Sequence, residues 1–391
     1  MRTAVAVVLA ALLVAAIAYL QAQTKGLGKR SEIRGLPITK FYDTPDPLPA
    51  GKPGELIRSE EFDGYELPFS VSAVRILYHS RSATGEDVAA SGVVLFPDDK
   101  KPPAGGWPVI AWAHGPDGVA RACAPSLMRN LGHGPFLAMY VNLGYAVVAP
   151  DYTGLGTNFR NAFLDGPSNA TDVINSISAA HAAVPELGAR WVAVGEAEGG
   201  LTAVTIAEME NQTRHADYLG SIAISHVVGA KERYERTEGA SSLMLTSLAY
   251  GIKTVYPKFQ LNDMLTERAL GPYHDIEQTC PQARTMAELS PTQTVKAGWE
   301  GNTFVRQYFA RNDPGQTPAY GPILVISGEA DPSLLASTAQ AIARMCKQGD
   351  QLQWEQYPDR EPGSVIGESV RDQIGWIEAR FGGRPSTTTC H

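Results

Sequence analysis

The chain has 391 residues, 44% of them hydrophobic, with 33 basic and 41 acidic side chains and a net charge of −8. That suffices for one large core plus a subdomain, or for two modest domains, and it excludes a disordered chain. No basic run is long enough to attract a phosphate backbone, so nucleic acid is not an expected partner.

Met1-Arg2-Thr3 is a short positive end, and Ala4 to Leu20 follows with 17 apolar or tyrosine residues. The pattern reads as an export signal over residues 1–22 and predicts a secreted or periplasmic protein. Leu20 is bulky for cleavage after Ala22, and a run of this length reaches the lower limit for spanning a bilayer, so a membrane anchor over residues 4–20 is the alternative. Membrane contact is expected through this segment alone. Behind it lie Cys123, Cys280, Cys346 and Cys390, which in an oxidising compartment predict two disulfides with three pairings open. No two cysteines stand at a CxxC spacing, and neither a metal nor another cofactor is expected.

Residues 23–70 are rich in proline, glycine and charge and read as an irregular arm that adds little core. Val71 to Tyr78 and Val88 to Leu95, separated by the turn signal Ser82 to Asp87, predict an antiparallel strand pair. Trp107 to Ala113, Tyr145 to Pro150, Trp191 to Val194, Ser221 to Ser225 and Ile323 to Ser327 are short continuous apolar runs, and Leu352 to Tyr357 reads as the last strand. Such runs suit strands covered on both faces, and the helical periodicity between them argues an α/β fold with a mostly parallel central sheet flanked by helices. Residues 71–228 and 321–391 then form the core. Residues 229–320 are too many for a crossover and carry helix-like stretches at Ser241 to Tyr250 and Leu261 to Leu270, which predicts a helical cap or lid inserted over the active face. Ile366, Val370, Ile374, Ile377 and Phe381 share one helical face, which ends at Gly382-Gly383.

Gly195-Glu196-Ala197-Glu198-Gly199 follows an apolar run and precedes the helical spacing of Leu201 to Met209. This is the strand-to-helix elbow of a serine hydrolase, in which glycines relieve crowding around an exposed central residue, but that residue is alanine. A bare pentapeptide of this kind is more often an ordinary tight turn; its place after the right strand reverses that. His114 and Gly115 sit at the end of another strand, and Pro116 after them has no backbone N–H to offer an oxyanion. Asn169-Ala170-Thr171 and Asn211-Gln212-Thr213 match glycosylation acceptors, a match that also occurs by chance.

From Tyr78-His79-Ser80, through Ala113-His114-Gly115 and Cys123-Ala124-Pro125-Ser126, to Gly144 through Tyr152, the elbow, and Gly328-Glu329-Ala330-Asp331-Pro332, the chain resembles the secretory lipases of the α/β-hydrolase superfamily over residues 65 to 385. The resemblance implies a Ser, Asp, His triad in that order, an oxyanion hole from the loop at His114 and Gly115 together with the residue at Glu198, a cap, and disulfides Cys123 with Cys280 and Cys346 with Cys390. The nucleophile position falls on Ala197, the acid on Asp331 and the histidine on Pro362, within Tyr357-Pro358-Asp359-Arg360-Glu361-Pro362-Gly363.

Two of three catalytic groups are therefore missing. Loss of the nucleophile or the base alone costs a serine hydrolase about 10⁶ in turnover. One serine-to-alanine change would suffice to inactivate an enzyme, so the second loss at Pro362 argues divergence. The expected function is a non-hydrolytic pseudoenzyme or a binder of a hydrophobic or acyl small molecule. The alternatives are a lipase or carboxylesterase, as the resemblance implies, or a rewired acid/base enzyme using His114, His226, Asp331 or Glu361. A lone histidine at a strand end is more often structural, and Asp331 reads equally well as the cap of the helix after Pro332. Glu196 and Glu198 are expected to point to solvent or to covering loops.

Overall fold

The computed structural model of the protein describes residues 35–225, 229, 231, 234, 241–278, 280 and 289–390. The segment read as signal or anchor lies outside the described residues. Among those described, no helix is long and apolar enough to cross a membrane.

Nine strands make one sheet: β1 (Leu56–Glu61), β2 (Val71–Arg81), β3 (Asp87–Pro97), β4 (Trp107–Ala113), β5 (Ala146–Pro150), β6 (Leu187–Glu196), β7 (Tyr218–Ile224), β8 (Ile323–Gly328) and β9 (Leu352–Tyr357). Their order is β1-β2-β3-β5-β4-β6-β7-β8-β9. β2 and β3 form the expected antiparallel pair, in register from Val71 opposite Pro97 to Arg81 opposite Asp87. β4 through β9 run parallel. The helices α1 (Gly134–Asn142), α2 (Gly166–Ala183) and α3 (Glu198–Thr213) precede an insertion between β7 and β8 that holds α4 (Ser242–Val255), α5 (Glu267–Gln278), α6 (Pro291–Thr294) and α7 (Thr303–Arg311). α8 (Pro332–Gln348), α9 (Val365–Glu368) and α10 (Val370–Phe381) follow.

The sheet is covered on both faces, which is why its strands read as unbroken apolar runs. Ala170, Val173 and Val204 of α2 and α3 close one face together with Met345 of α8. Phe136 and Tyr140 of α1 and Trp376 and Ile377 of α10 close the other. The insertion has its own apolar cluster, including Leu245, Phe259, Tyr273, Trp299 and Tyr308, and it shares that cluster with Val119 and Ala162 to Leu164 from loops of the core.

The arm is less irregular than its composition predicts. Leu56–Glu61 adds an antiparallel edge strand to β2. Its charged residues Arg58, Glu60 and Glu61 hide the period-two signal, as is usual on an edge that must not recruit another strand. Arg75 of β2 is buried beneath the arm with its guanidinium 3.3 Å from the Phe62 ring centre, and it donates to Tyr65 Oη and Glu60 Oε1. Two helices also differ from expectation. Leu261 to Leu270 splits into a 3-10 turn, Leu261–Asp263, and the start of α5 at Glu267. The C-terminal helix breaks at Ser369, whose hydroxyl donates to Val365 O, and Gln373 reaches back to Ile366 O across the break.

Cys123 is bonded to Cys280 and Cys346 to Cys390, the pairing that the resemblance implies. The first ties the loop after β4 to the insertion and the second ties α8 to the C-terminal tail. Two such bonds fit an oxidising compartment.

Glu208 on α3 accepts the Gly315 N–H at 2.8 Å, and burial pushes its carboxyl up from 4.5 to about 7. The folded protein then keeps this proton at pH values where the unfolded chain has released it. The group costs nothing below the unfolded value, and it destabilises increasingly as pH rises toward the folded one. Replacing Glu208 with Gln should leave the melting temperature near wild type at about pH 4 and raise it relative to wild type by about pH 8. A difference that stays flat across calorimetric scans in that range would show that Glu208 does not titrate there.

Candidate functional site

The segment after β6 adopts the elbow. Ala197 has φ 55° and ψ −110°, a conformation that L residues rarely enter, and it sits at the N-terminus of α3. Its N–H donates to Ile224 O at 3.1 Å on β7, and the Gly200 and Leu201 N–H groups return to Ala197 O. The turn is possible because three neighbours lack side chains. A Cβ on Gly195 would lie 2.0 Å from Gly199 O, one on Gly199 1.9 Å from Ala113 O, and one on Gly200 2.9 Å from Ile224 O. The elbow is thus intact in backbone and empty of a hydroxyl.

Gly115 is the neighbour of that methyl: a Cβ built on it would stand 3.8 Å from Ala197 Cβ and 2.7 Å from Glu196 Oε2. His114 is 3% exposed and stacked on Tyr152, with ring centres 4.0 Å apart. Its Nδ1 faces Gly115 O at 2.7 Å and Asp117 Oδ2 at 2.8 Å, while Nε2 faces Asp151 O at 3.1 Å. With both ring nitrogens turned to oxygen acceptors of the fold, neither is free to take a proton from a ligand. Tyr152 donates in turn to His114 O at 3.0 Å, and burial pushes its phenol well above the usual range. Asp151 is fully buried and accepts from Ser91 Oγ, Ser126 Oγ and Ser126 N, binding β3 and the loop of Cys123 to the end of β5.

Glu198 takes the second of its two expected directions. Its carboxylate is 7% exposed and turned to a covering loop, where Oε1 accepts from Leu164 N at 2.7 Å and from Asn169 Nδ2 at 2.9 Å. Asn169 is itself 1% exposed within α2, which leaves its glycosylation tripeptide closed to modification in the folded chain. Asp331 caps α8: Oδ1 accepts from Ser333 N, Ser333 Oγ and Leu334 N at 2.8 to 3.1 Å. Pro362 lies in the loop after β9, which is joined to the loop after β8 by the bond from Ala330 N to Arg360 O. Ala197, Asp331 and Pro362 therefore follow the carboxyl ends of β6, β8 and β9, the last two in adjoining loops. Glu361 is exposed in that loop. His226 lies outside the described residues. Among the described residues no three His, Cys, Asp or Glu side chains cluster as metal ligands would.

No protein-family model matches the chain, and no curated relative matches it. Solved structures do. Candida antarctica lipase A in its closed state is 17% identical, with 91% of this chain and 89% of that one covered at a TM-score of 0.76. The rice cell wall degrading esterase LipA from Xanthomonas oryzae is 18% identical, covering 86% of this chain and all of that one, with a TM-score of 0.70. At such identities the likeness is one of backbone architecture, and together with the strand order and the elbow after β6 it gives this chain the α/β-hydrolase fold.

Proposed function

We propose that this is a degenerate member of the secretory lipase family, a pseudoenzyme that holds a hydrophobic or acyl ligand without cleaving it. The supporting observation is the elbow, which keeps the strained backbone that presents a nucleophile and presents a methyl instead. Pro362 at the histidine position removes the general base as well, and Asp331 gives its Oδ1 to a helix cap. The insertion between β7 and β8 is read as the cap of such a protein, and the N-terminal segment as its export signal. A rewired acid/base mechanism gains no support from His114, because both its nitrogens are engaged. A structural neighbour named lipase and another named esterase point to a lipid or ester as the ligand class from which this chain diverged.

Three measurements test the reading. A fluorophosphonate probe should leave the purified protein unlabelled, and covalent labelling would revive hydrolysis by a serine nucleophile. The double substitution Ala197→Ser with Pro362→His should yield weak esterase activity above wild type; no gain in the folded variant would mean that the three loops no longer align. Ala197→Gly should raise stability by about 1 kcal/mol, because relief of a φ above zero outweighs the extra chain entropy of glycine. A denaturant midpoint below wild type would show that the methyl is itself packed to a purpose.

A further inference from the structure

A groove of about 1060 Å³ lies between the end of β1, the loop from Phe62 to the start of β2, the end of β3 and the turn from α2 into β6. β6 runs ten residues from beside Glu186 to the elbow, so the groove and Ala197 stand at opposite edges of the sheet, about 30 Å apart. Two kinds of surface meet in its lining. Phe62 and Val71 are half-buried there, and Phe69 is wholly exposed. Glu61, Asp63, Asp98 and Glu186 are exposed in the same lining, which holds no lysine, arginine or histidine. None of these four carboxylates is paired with a basic side chain among the described residues, and Lys100, two residues beyond Asp98, gives its ammonium to Asn142 O. Like charges set among apolar side chains suit a segment that is itself both basic and apolar.

The chain itself supplies such a segment. Residues 23–34, which lie outside the described residues, carry Lys25, Lys29, Arg30 and Arg34 against the single acid Glu32, with Leu27 and Ile33 between the basic positions. They join the described chain at Gly35, which bridges to Met128, and the next residue donates from Leu36 N to Leu127 O at 2.6 Å. The groove is built on that same stretch. Tyr65 Oη donates to Ser126 O at 2.9 Å and Glu66 N to Arg129 O at 2.7 Å, while Leu36, Phe62 and Leu67 pack on one apolar cluster. A segment tethered there is held at an effective concentration on the order of millimolar, an advantage that a free partner of the same chemistry lacks.

We propose that the groove is the docking site of residues 23–34, their basic side chains facing Glu61, Asp63, Asp98 and Glu186 and their Leu27 and Ile33 covering Phe62 and Phe69. The assignment goes beyond the reading of the elbow, because it would stand in an active enzyme as well as in an inactive one. Carbodiimide coupling of the purified full chain, mapped by mass spectrometry, reads the docking directly, since it joins a lysine amine to a carboxylate only where the two touch. Lys25 and Lys29 should couple to the four groove carboxylates at least fivefold more often than to other exposed acids. Arg30→Glu with Arg34→Glu leaves both lysines in place and should cut that coupling at least fivefold, as should Phe69→Arg on the groove side, each in protein that melts as wild type. Salt at about 1 M, where the Debye length falls to about 3 Å, should weaken it too. In a mixture of isotope-labelled and unlabelled chains the couplings should stay within one chain; mixed pairs would give the groove to a second copy and overturn the assignment. Couplings spread evenly over the surface acids, or yields unchanged in the variants, would overturn it as well. None of these outcomes bears on fluorophosphonate labelling at the elbow, so the two readings fail separately.

Discussion

The contact on which the rest of the site depends is the approach of α3 to the ends of β4 and β7. Gly199 lies so close to Ala113 that a methyl would overlap its carbonyl, and Gly195 packs in the same way on Gly199. This closeness turns the chain from strand to helix within one residue and forces that residue to φ 55°. Such a conformation costs about 1 to 3 kcal/mol and persists only where the surroundings over-determine it. Here the bond from Ala197 N to Ile224 O and the two bonds back to Ala197 O supply that determination. In an enzyme the strain serves to expose a nucleophile. In this chain it remains because the glycines that enforce it are built into the packing of helix on sheet, and none of them can be changed without moving β4 or β7.

Around the elbow, polar groups that a catalytic site would hold in readiness are bound to the fold. His114 spans Asp117, Gly115 and Asp151, Asp151 gathers two serines, and Glu198 fastens Leu164 and Asn169. Each of these links joins a different loop to the carboxyl edge of the sheet. Burial raises the carboxyl of Asp172 to about 6, and burial also raises that of Asp151. These acids are tolerated there because hydroxyl and backbone N–H donors replace the water they lost. The charges at this edge of the sheet thus serve to hold its loops in place.

Much of this was legible in the sequence, and the reason is physical. Strands such as Ala146–Pro150 and Ile323–Gly328 are buried on every residue, and a strand in that position needs an unbroken apolar run. The elbow was legible because no other residue substitutes for glycine where backbones touch. What escaped was set by partners distant in the chain. Leu56–Glu61 is a strand only because β2 offers it an edge, and its own charges mask the pattern. The direction of Glu198 depends on Leu164, and Asn169 was visible only as part of a tripeptide. No local periodicity reports which loop a side chain will meet.

Asn169 also joins the two halves of the site. Its amide N–H holds the carboxylate of the residue after Ala197 and so ties α2 to the start of α3. Glu198 in turn fixes Leu164, which shares an apolar cluster with Leu245, Leu248 and Tyr308 of the insertion. Asn169 and Glu198 thereby connect α2, the first residue of α3 and the loop packed on the insertion. A nucleophile is not needed for that linkage, which rests on hydrogen bonds and apolar packing alone.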